Sequence, residues 1–272
     1  MIDLIDMHTH LPEKEKYSYD VQKREIEYRK EHHIASFYSC GSPAEWQEIM
    51  PFADREELAV SFGIHPWFAH QYRVSDYEVL FRQCKAVGEI GLDGGLSQAP
   101  LSIQKKILEE QLELAQNLNK PIIIHSDGYE RECMEMILDF PGNILIHWFS
   151  GNVPVLEKLM EKDCYFTLGP DTHLICQGKG ILGNPESHQA RKMLIREVPL
   201  NRVFLETDGL EALAWAFGKE SVENEIIRPV LEKNLENFCY YRGLSKENMA
   251  GQMAVNFNQY FSGNAEKTRA KR

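Results

Sequence analysis

His8-Thr9-His10 sets two imidazoles two residues apart, directly after the apolar run Ile2 to Ile5. Alternate side chains of an extended strand share a face, so both rings can turn to one ion. Asp6 falls on that face too, deeper in the barrel. The placement recurs along the chain. Glu89 ends Ala86-Val87-Gly88, His125 ends Pro121-Ile122-Ile123-Ile124, and His147 ends Asn143-Ile144-Leu145-Ile146. Glu206-Thr207-Asp208 ends Arg202-Val203-Phe204-Leu205. Imidazole and carboxylate are the donors that borderline divalent cations take. A carboxylate has two oxygens, so Glu89 can span two ions. His125 and His147 each offer a ring nitrogen. Asp208 can ligate an ion and accept a proton from an activated water. Glu206 shares its face and either backs a histidine or contacts an ion directly, even a third one.

Weaker signals surround these residues. His65, in Gly63-Ile64-His65-Pro66-Trp67, either touches substrate or a phosphate oxygen, or bonds backbone in a tight turn. Trp67 and Trp148 either present a stacking face to a base or pack internally. His32, His33, His70 and His188 read as surface residues, and His173 in its long loop stays open. There is no G-x-S-x-G elbow, Walker-type loop or dinucleotide glycine motif, and Cys164 sits in an apolar run.

These residues need strands to carry them. Strand-like runs fall at 2–7, 34–40, 58–63, 86–90, 121–125, 143–147, 164–168 and 202–206. Helical patterns lie between them. Leu101, Leu108, Leu112 and Ala115 form one stripe; others cover 222–241, where Pro229 marks a start, and 245–261. Alternation without a break in composition predicts one α/β domain with a parallel sheet, and eight strands favour a single (β/α)8 TIM-type barrel over 1–262. A basic tail, 263–272, is expected to be disordered. All the candidate residues then open on one rim, where such barrels keep their active sites. The Gly-rich stretch 169–190, after strand seven, reads as a loop over that rim.

The net charge of −11 disfavours a broad nucleic-acid-binding face, although bound cations can supply positive charge within a pocket. Six scattered cysteines without a C-x-x-C pair indicate reduced thiols and a cytoplasmic protein. No apolar stretch approaches the roughly 20 residues a membrane span needs, and no secretory signal is visible. Nothing points to an obligate protein partner.

Taken together, Asp6-Met7-His8-Thr9-His10, Gly63-Ile64-His65-Pro66, Gly88-Glu89-Ile90-Gly91-Leu92-Asp93, Pro121 to Ser126, His147-Trp148-Phe149-Ser150-Gly151 and Leu205-Glu206-Thr207-Asp208 resemble the TatD family of metal-dependent hydrolases, in the amidohydrolase-like barrel superfamily. Gln104, Gln111 and the late pair Asn256 and Phe261 fit the same pattern. The resemblance implies one ion on His8, His10, Glu89 and Asp208, and a second on Glu89, His125 and His147. It implies phosphodiester hydrolysis of DNA, with 3′-exonuclease or D-aminoacyl-tRNA deacylase activity in some members. Departures stand where substrate is chosen. Asp127 replaces an Arg after the strand-five His-Ser, Trp148 replaces a Cys, Gly209 to Leu213 replaces a small-Pro-aromatic segment, and Glu223-Asn224-Glu225 replaces Arg-Asn-Pro. Asp127 and Glu211 near the rim would repel a polyanion.

The resulting expectation is a hydrolase with two divalent ions (Zn, Mn, Mg, Fe or Ni) that activate water against DNA. The alternatives are a hydrolase of a small ester, amide or phosphoester, and a barrel that binds metal without catalysis. His65, Asp127 and Trp148 are the expected substrate contacts.

Overall fold

A computed structural model describes residues 3–53, 59–179 and 184–269, with side chains to residue 262. Eight strands close into a barrel in chain order. They are β1 (Leu4–Thr9), β2 (Ile34–Cys40), β3 (Ala59–Phe62), β4 (Ala86–Asp93), β5 (Ile122–Asp127), β6 (Ile144–Ile146), β7 (Tyr165–Leu168) and β8 (Val203–Leu205). Every neighbouring pair is parallel, and Asp6 against Leu205 closes β1 onto β8. All eight expected strands are present; the expected ends at Ile2 and Leu58 lie outside the described residues. Runs such as Ile122-Ile123-Ile124 are buried on both faces because helices cover the outside of the barrel.

The helices are α1 (Tyr19–Glu31), α2 (Pro43–Ala53), α3 (Glu78–Gln83), α4 (Leu101–Asn117), α5 (Glu130–Ile137), α6 (Val153–Glu161), α7 (Thr172–Cys176), α8 (Pro185–Glu197), α9 (Gly209–Ala216), α10 (Ile227–Arg242) and α11 (Lys246–Arg269). Helix α4 buries Ile107, Leu108 and Ala115, and also Gln104 and Gln111. Those two amides hold backbone near the rim. Gln111 accepts from the Ile64 N–H at 2.6 Å, and Gln104 accepts from the Asp93 N–H at 2.8 Å. At the opposite end α11 crosses the strand starts. Asn256 donates to the carbonyls of Leu200 and Val203, and the Tyr260 hydroxyl donates to that of Ile122.

Two expectations need correction. The stretch 169–190 is not one loop: α7 and α8 occupy much of it. Asn184 caps α8, accepting from the N–H groups of Glu186 and Ser187, with Pro185 in the first turn. Helix α10 starts at Ile227 with Pro229 in its first turn, so the start that Pro229 marks within 222–241 is present. Asp6 does not share a face with His8. The β1–β2 register moves from Asp6↔Ser36 to Thr9↔Tyr38, which puts one extra residue in β1. That bulge turns Asp6 and Thr9 outward toward α1 while His8 faces the barrel axis. For the segment 263–272, only the helical backbone to Arg269 is described, and 270–272 lie outside the described residues.

Candidate metal centre

Two donor groups meet at the C-terminal rim. In the first, His8 Nε2 lies 3.2 Å from His10 Nε2 and 3.2 Å from Asp208 Oδ1. His10 Nε2 is 3.4 Å from that oxygen and 3.3 Å from Glu89 Oε2, which stands 3.5 Å from His8 Nε2. Donors about 2.0–2.1 Å from a tetrahedral ion stand about 3.3 Å apart, so His8, His10 and Asp208 already have the spacing a cation imposes, with Glu89 near both histidines. In the second group Glu89 Oε1 lies 2.8 Å from His147 Nε2 and 3.0 Å from His125 Nδ1, and these two nitrogens are 3.2 Å apart. Strand position explains the convergence. His8, Glu89 and His125 lie within β1, β4 and β5, and His10, His147 and Asp208 follow β1, β6 and β8 within three residues.

The far nitrogens are held as well. Ser39 Oγ is 3.2 Å from His8 Nδ1, and Asp93 Oδ2 is 3.0 Å from His125 Nε2. Glu206 Oε2 is 3.6 Å from His147 Nδ1, and both Glu206 oxygens are buried without a hydrogen bond. Backing of the kind that Ser39 and Asp93 give fixes ring orientation and raises donor basicity, whereas His147 Nδ1 is buried without a hydrogen bond. His65 differs. Its Nδ1 accepts the Trp67 backbone N–H at 3.2 Å, which leaves the proton on Nε2, 3.6 Å from Glu89 Oε1. His65 thus serves the turn and still aims a donor into the site.

Burial disfavours charge throughout this cluster, and charge prevails where partners converge. Burial pulls the His10 pKa down, but Asp208 and Glu89 hold it well above the usual value. His147 is raised against burial by Glu89 and Glu206, and His125 is raised to about 8 by Asp93 and Glu89. Burial opposes ionisation of Glu89 and Asp208, yet the histidines keep both well below the carboxylate range. At His65 burial wins and takes the ring down to about 4. Facing imidazole nitrogens and the orphaned Glu206 oxygens form a donor set that suits a divalent cation better than protons.

The remaining expected contacts lie around this centre. Asp127 is exposed, paired in register with Asp93, and burial and then Asp93 raise its pKa. Trp148 directs Nε1 to Asp171 Oδ1 at 3.0 Å, and Trp67 directs Nε1 to Asp93 Oδ2 at 2.8 Å. Glu211 accepts the Glu13 N–H at 2.7 Å, tying α9 to the segment after β1. His173, the histidine that stayed open, is buried and bonded through Nδ1 to Asn234. Sequence reasoning assigned no role to Asp93, Ser39, Asp171 or Arg29. Arg29 joins α1 to both ends of the first group: it donates to Asp6 at 2.6 Å and Thr9 at 2.8 Å, while Thr207 N–H donates to Asp6 at 2.9 Å. Asp93 and Asp171 carried a signal, a carboxylate at or just past a strand end; Arg29 carried none.

A closed parallel barrel with histidines and carboxylates gathered at this rim defines the class of metal-dependent hydrolases built on (β/α)8 barrels. The chain belongs to the TatD family: the family model described as TatD related DNase matches residues 5–262. The human 3′-5′ RNA nuclease TATDN2 is 34% identical over 173 residues, 60% of this chain but 21% of that protein, so the match spans about a fifth of that relative. YabD of Bacillus subtilis, an uncharacterized metal-dependent hydrolase, is 24% identical over 75% of this chain and 79% of its own length. The crystal structure of YjjV, a TatD homolog from Escherichia coli, shares the fold with a TM-score of 0.76 at 20% identity, covering 95% of this chain and 98% of that one. Among the described residues no helix is long and apolar enough to cross a membrane.

Proposed function

We propose that the rim holds two divalent ions and hydrolyses phosphodiester bonds of nucleic acid, DNA first. One observation carries this reading: the two oxygens of Glu89 face different donor groups, Oε2 toward His8 and His10, Oε1 toward His125 and His147. A carboxylate so placed bridges two cations. The names of the relatives, a DNase family and an RNA nuclease, support the substrate class.

His8, His10, Glu89 and Asp208 would hold one ion, and Glu89, His125 and His147 the other. Mixed nitrogen and oxygen donors suit Zn, Mn, Fe or Ni better than Mg. Bound there, the ions would polarise the phosphoryl group and acidify a water. Asp208 then takes the water proton, His65 Nε2–H donates toward a substrate oxygen, and Glu206 keeps the His147 ring in place. The exposed Asp127 beside Asp93 favours a second reading, hydrolysis of a small ester, amide or phosphoester.

Metal analysis of metal-replete protein, with a panel of DNA, RNA, generic phosphodiesters, esters and amides, separates the readings. Two ions per chain and phosphodiester turnover are expected. One ion or none overturns the binuclear centre, and turnover of esters or amides alone overturns the substrate class. In the same panel, Asp208→Asn is expected to lower turnover by roughly 10²–10⁴ while most metal is retained. Near-native turnover would move the base to another residue, Glu206 first.

A further inference from the structure

We propose that Trp148 and Trp215 form a stacking subsite for a nucleobase next to the scissile phosphodiester; the proposal rests on the nucleic-acid reading above. Both rings are carried by segments that leave the donor cluster. Trp148 follows His147 directly, and Trp215 lies on α9, which begins immediately after Asp208. The indole of Trp148 is rigidly set. Its backbone adopts φ 33°, and its ring lies against Gly169, where a Cβ would stand 2.1 Å from Trp148 Cδ1. Its Nε1–H is pinned to Asp171, which is fully buried and paired with the buried Arg191. An ion pair withdrawn from water is costly to maintain, and here it fixes the plane of one aromatic ring at the rim.

Trp215 meets that ring edge-on, with centroids 5.8 Å apart and planes at 77°, yet 54% of it remains exposed. Two perpendicular indoles leave a corner in which a planar ring can lie flat on one and against the edge of the other. The charges nearby argue for a base as the occupant. Glu211 stands one helical turn before Trp215 on α9, and the charge of Arg191 is taken by Asp171. A nucleic acid therefore gains little here from basic side chains. Stacking supplies a grip that does not depend on positive charge and accepts any base.

The test uses metal-loaded protein and two labelled probes, a short phosphorothioate-linked oligodeoxynucleotide and the same backbone with abasic spacers. Fluorescence anisotropy gives both affinities, and hydrolysis of the natural strand is followed in parallel. The base-bearing probe is expected to bind roughly 5- to 150-fold tighter, the span one stacked base carries. Trp215→Ala is expected to bring that ratio close to one, and Trp215→Phe to keep most of it. Trp215 is half exposed, so its truncation spares the core; circular dichroism checks the fold. A parent protein without the preference, or a Trp215→Ala variant that retains it, overturns the subsite. A preserved ratio pattern without hydrolysis of any phosphodiester would instead overturn the catalytic reading and leave the stacking site standing.

Discussion

Without an ion, His10, His125 and His147 hold protons above the usual histidine range, His125 to about 8. A raised pKa means the ring is protonated below that value and free to ligate above it, so each must lose its proton to take a metal. Metal affinity is therefore expected to climb with pH through about 8. Calorimetry in buffers of different ionisation enthalpy should find proton release at pH 7 that diminishes above 8; an affinity flat from pH 6 to 9 would contradict the assignment. Asp127 governs a different property. Asp127→Arg replaces an exposed anion beside Asp93 with a phosphate contact, and is expected to raise DNA cleavage at low salt and steepen its salt dependence by about one unit of slope. A fall at low salt, in folded and metallated protein, would remove Asp127 from the substrate rim. The six converging donors could be read from the sequence because each ends or closely follows an apolar run that becomes a strand. Ser39 could not be read, since it acts through another side chain whose orientation no local pattern records, and Asp93 showed its strand-end position but not its partners.

β1 and α1 show where element-level reading stops. An apolar run announces a strand, but alternation assumes it is regular, and the bulge between Asp6 and Thr9 reverses the face of Asp6. The reversal makes sense only with α1 in place, where Arg29 is 2% exposed between Asp6 and Glu25. Tyr38 closes the cluster by donating to Glu25 at 2.6 Å. Arg29→Met keeps the bulk and leaves two buried carboxylates unpaired. Removing one partner of a buried ion pair costs about 3–5 kcal/mol, so urea unfolding should show a loss of that size. A loss under about 1 kcal/mol would mean that Asp6 and Glu25 do not depend on the guanidinium. The helices within 169–190 were missed for another reason. Their signal, Asn184 before Pro185, is a local capping pattern hidden among glycines that read as loop.

At the scale of the whole molecule, donors from β1, β4, β5, β6 and β8 converge, so bound ions tie five of the eight strands at one end while α11 covers the other. Binding to the folded state alone adds about 2.7 kcal/mol at 100 times the dissociation constant. For a chain of this size that is about 5–10 °C, and chelation is expected to lower Tm by that amount in a thermal melt. An unchanged Tm would argue that no ion joins these strands. The barrel itself was legible because burial on both faces writes each parallel strand as a plain apolar run, independent of any contact.

The closing seam also has a place in time. Thr207 and Asp6 meet across 201 positions, whereas His125 finds Glu89 across 36 and His147 across 22. Chains emerge from the ribosome N-terminus first. Glu89, His125 and His147 can therefore assemble as soon as β6 is out, while His8 and His10, the earliest donors made, must wait for Asp208. The donors translated first belong to the half of the centre that matures last.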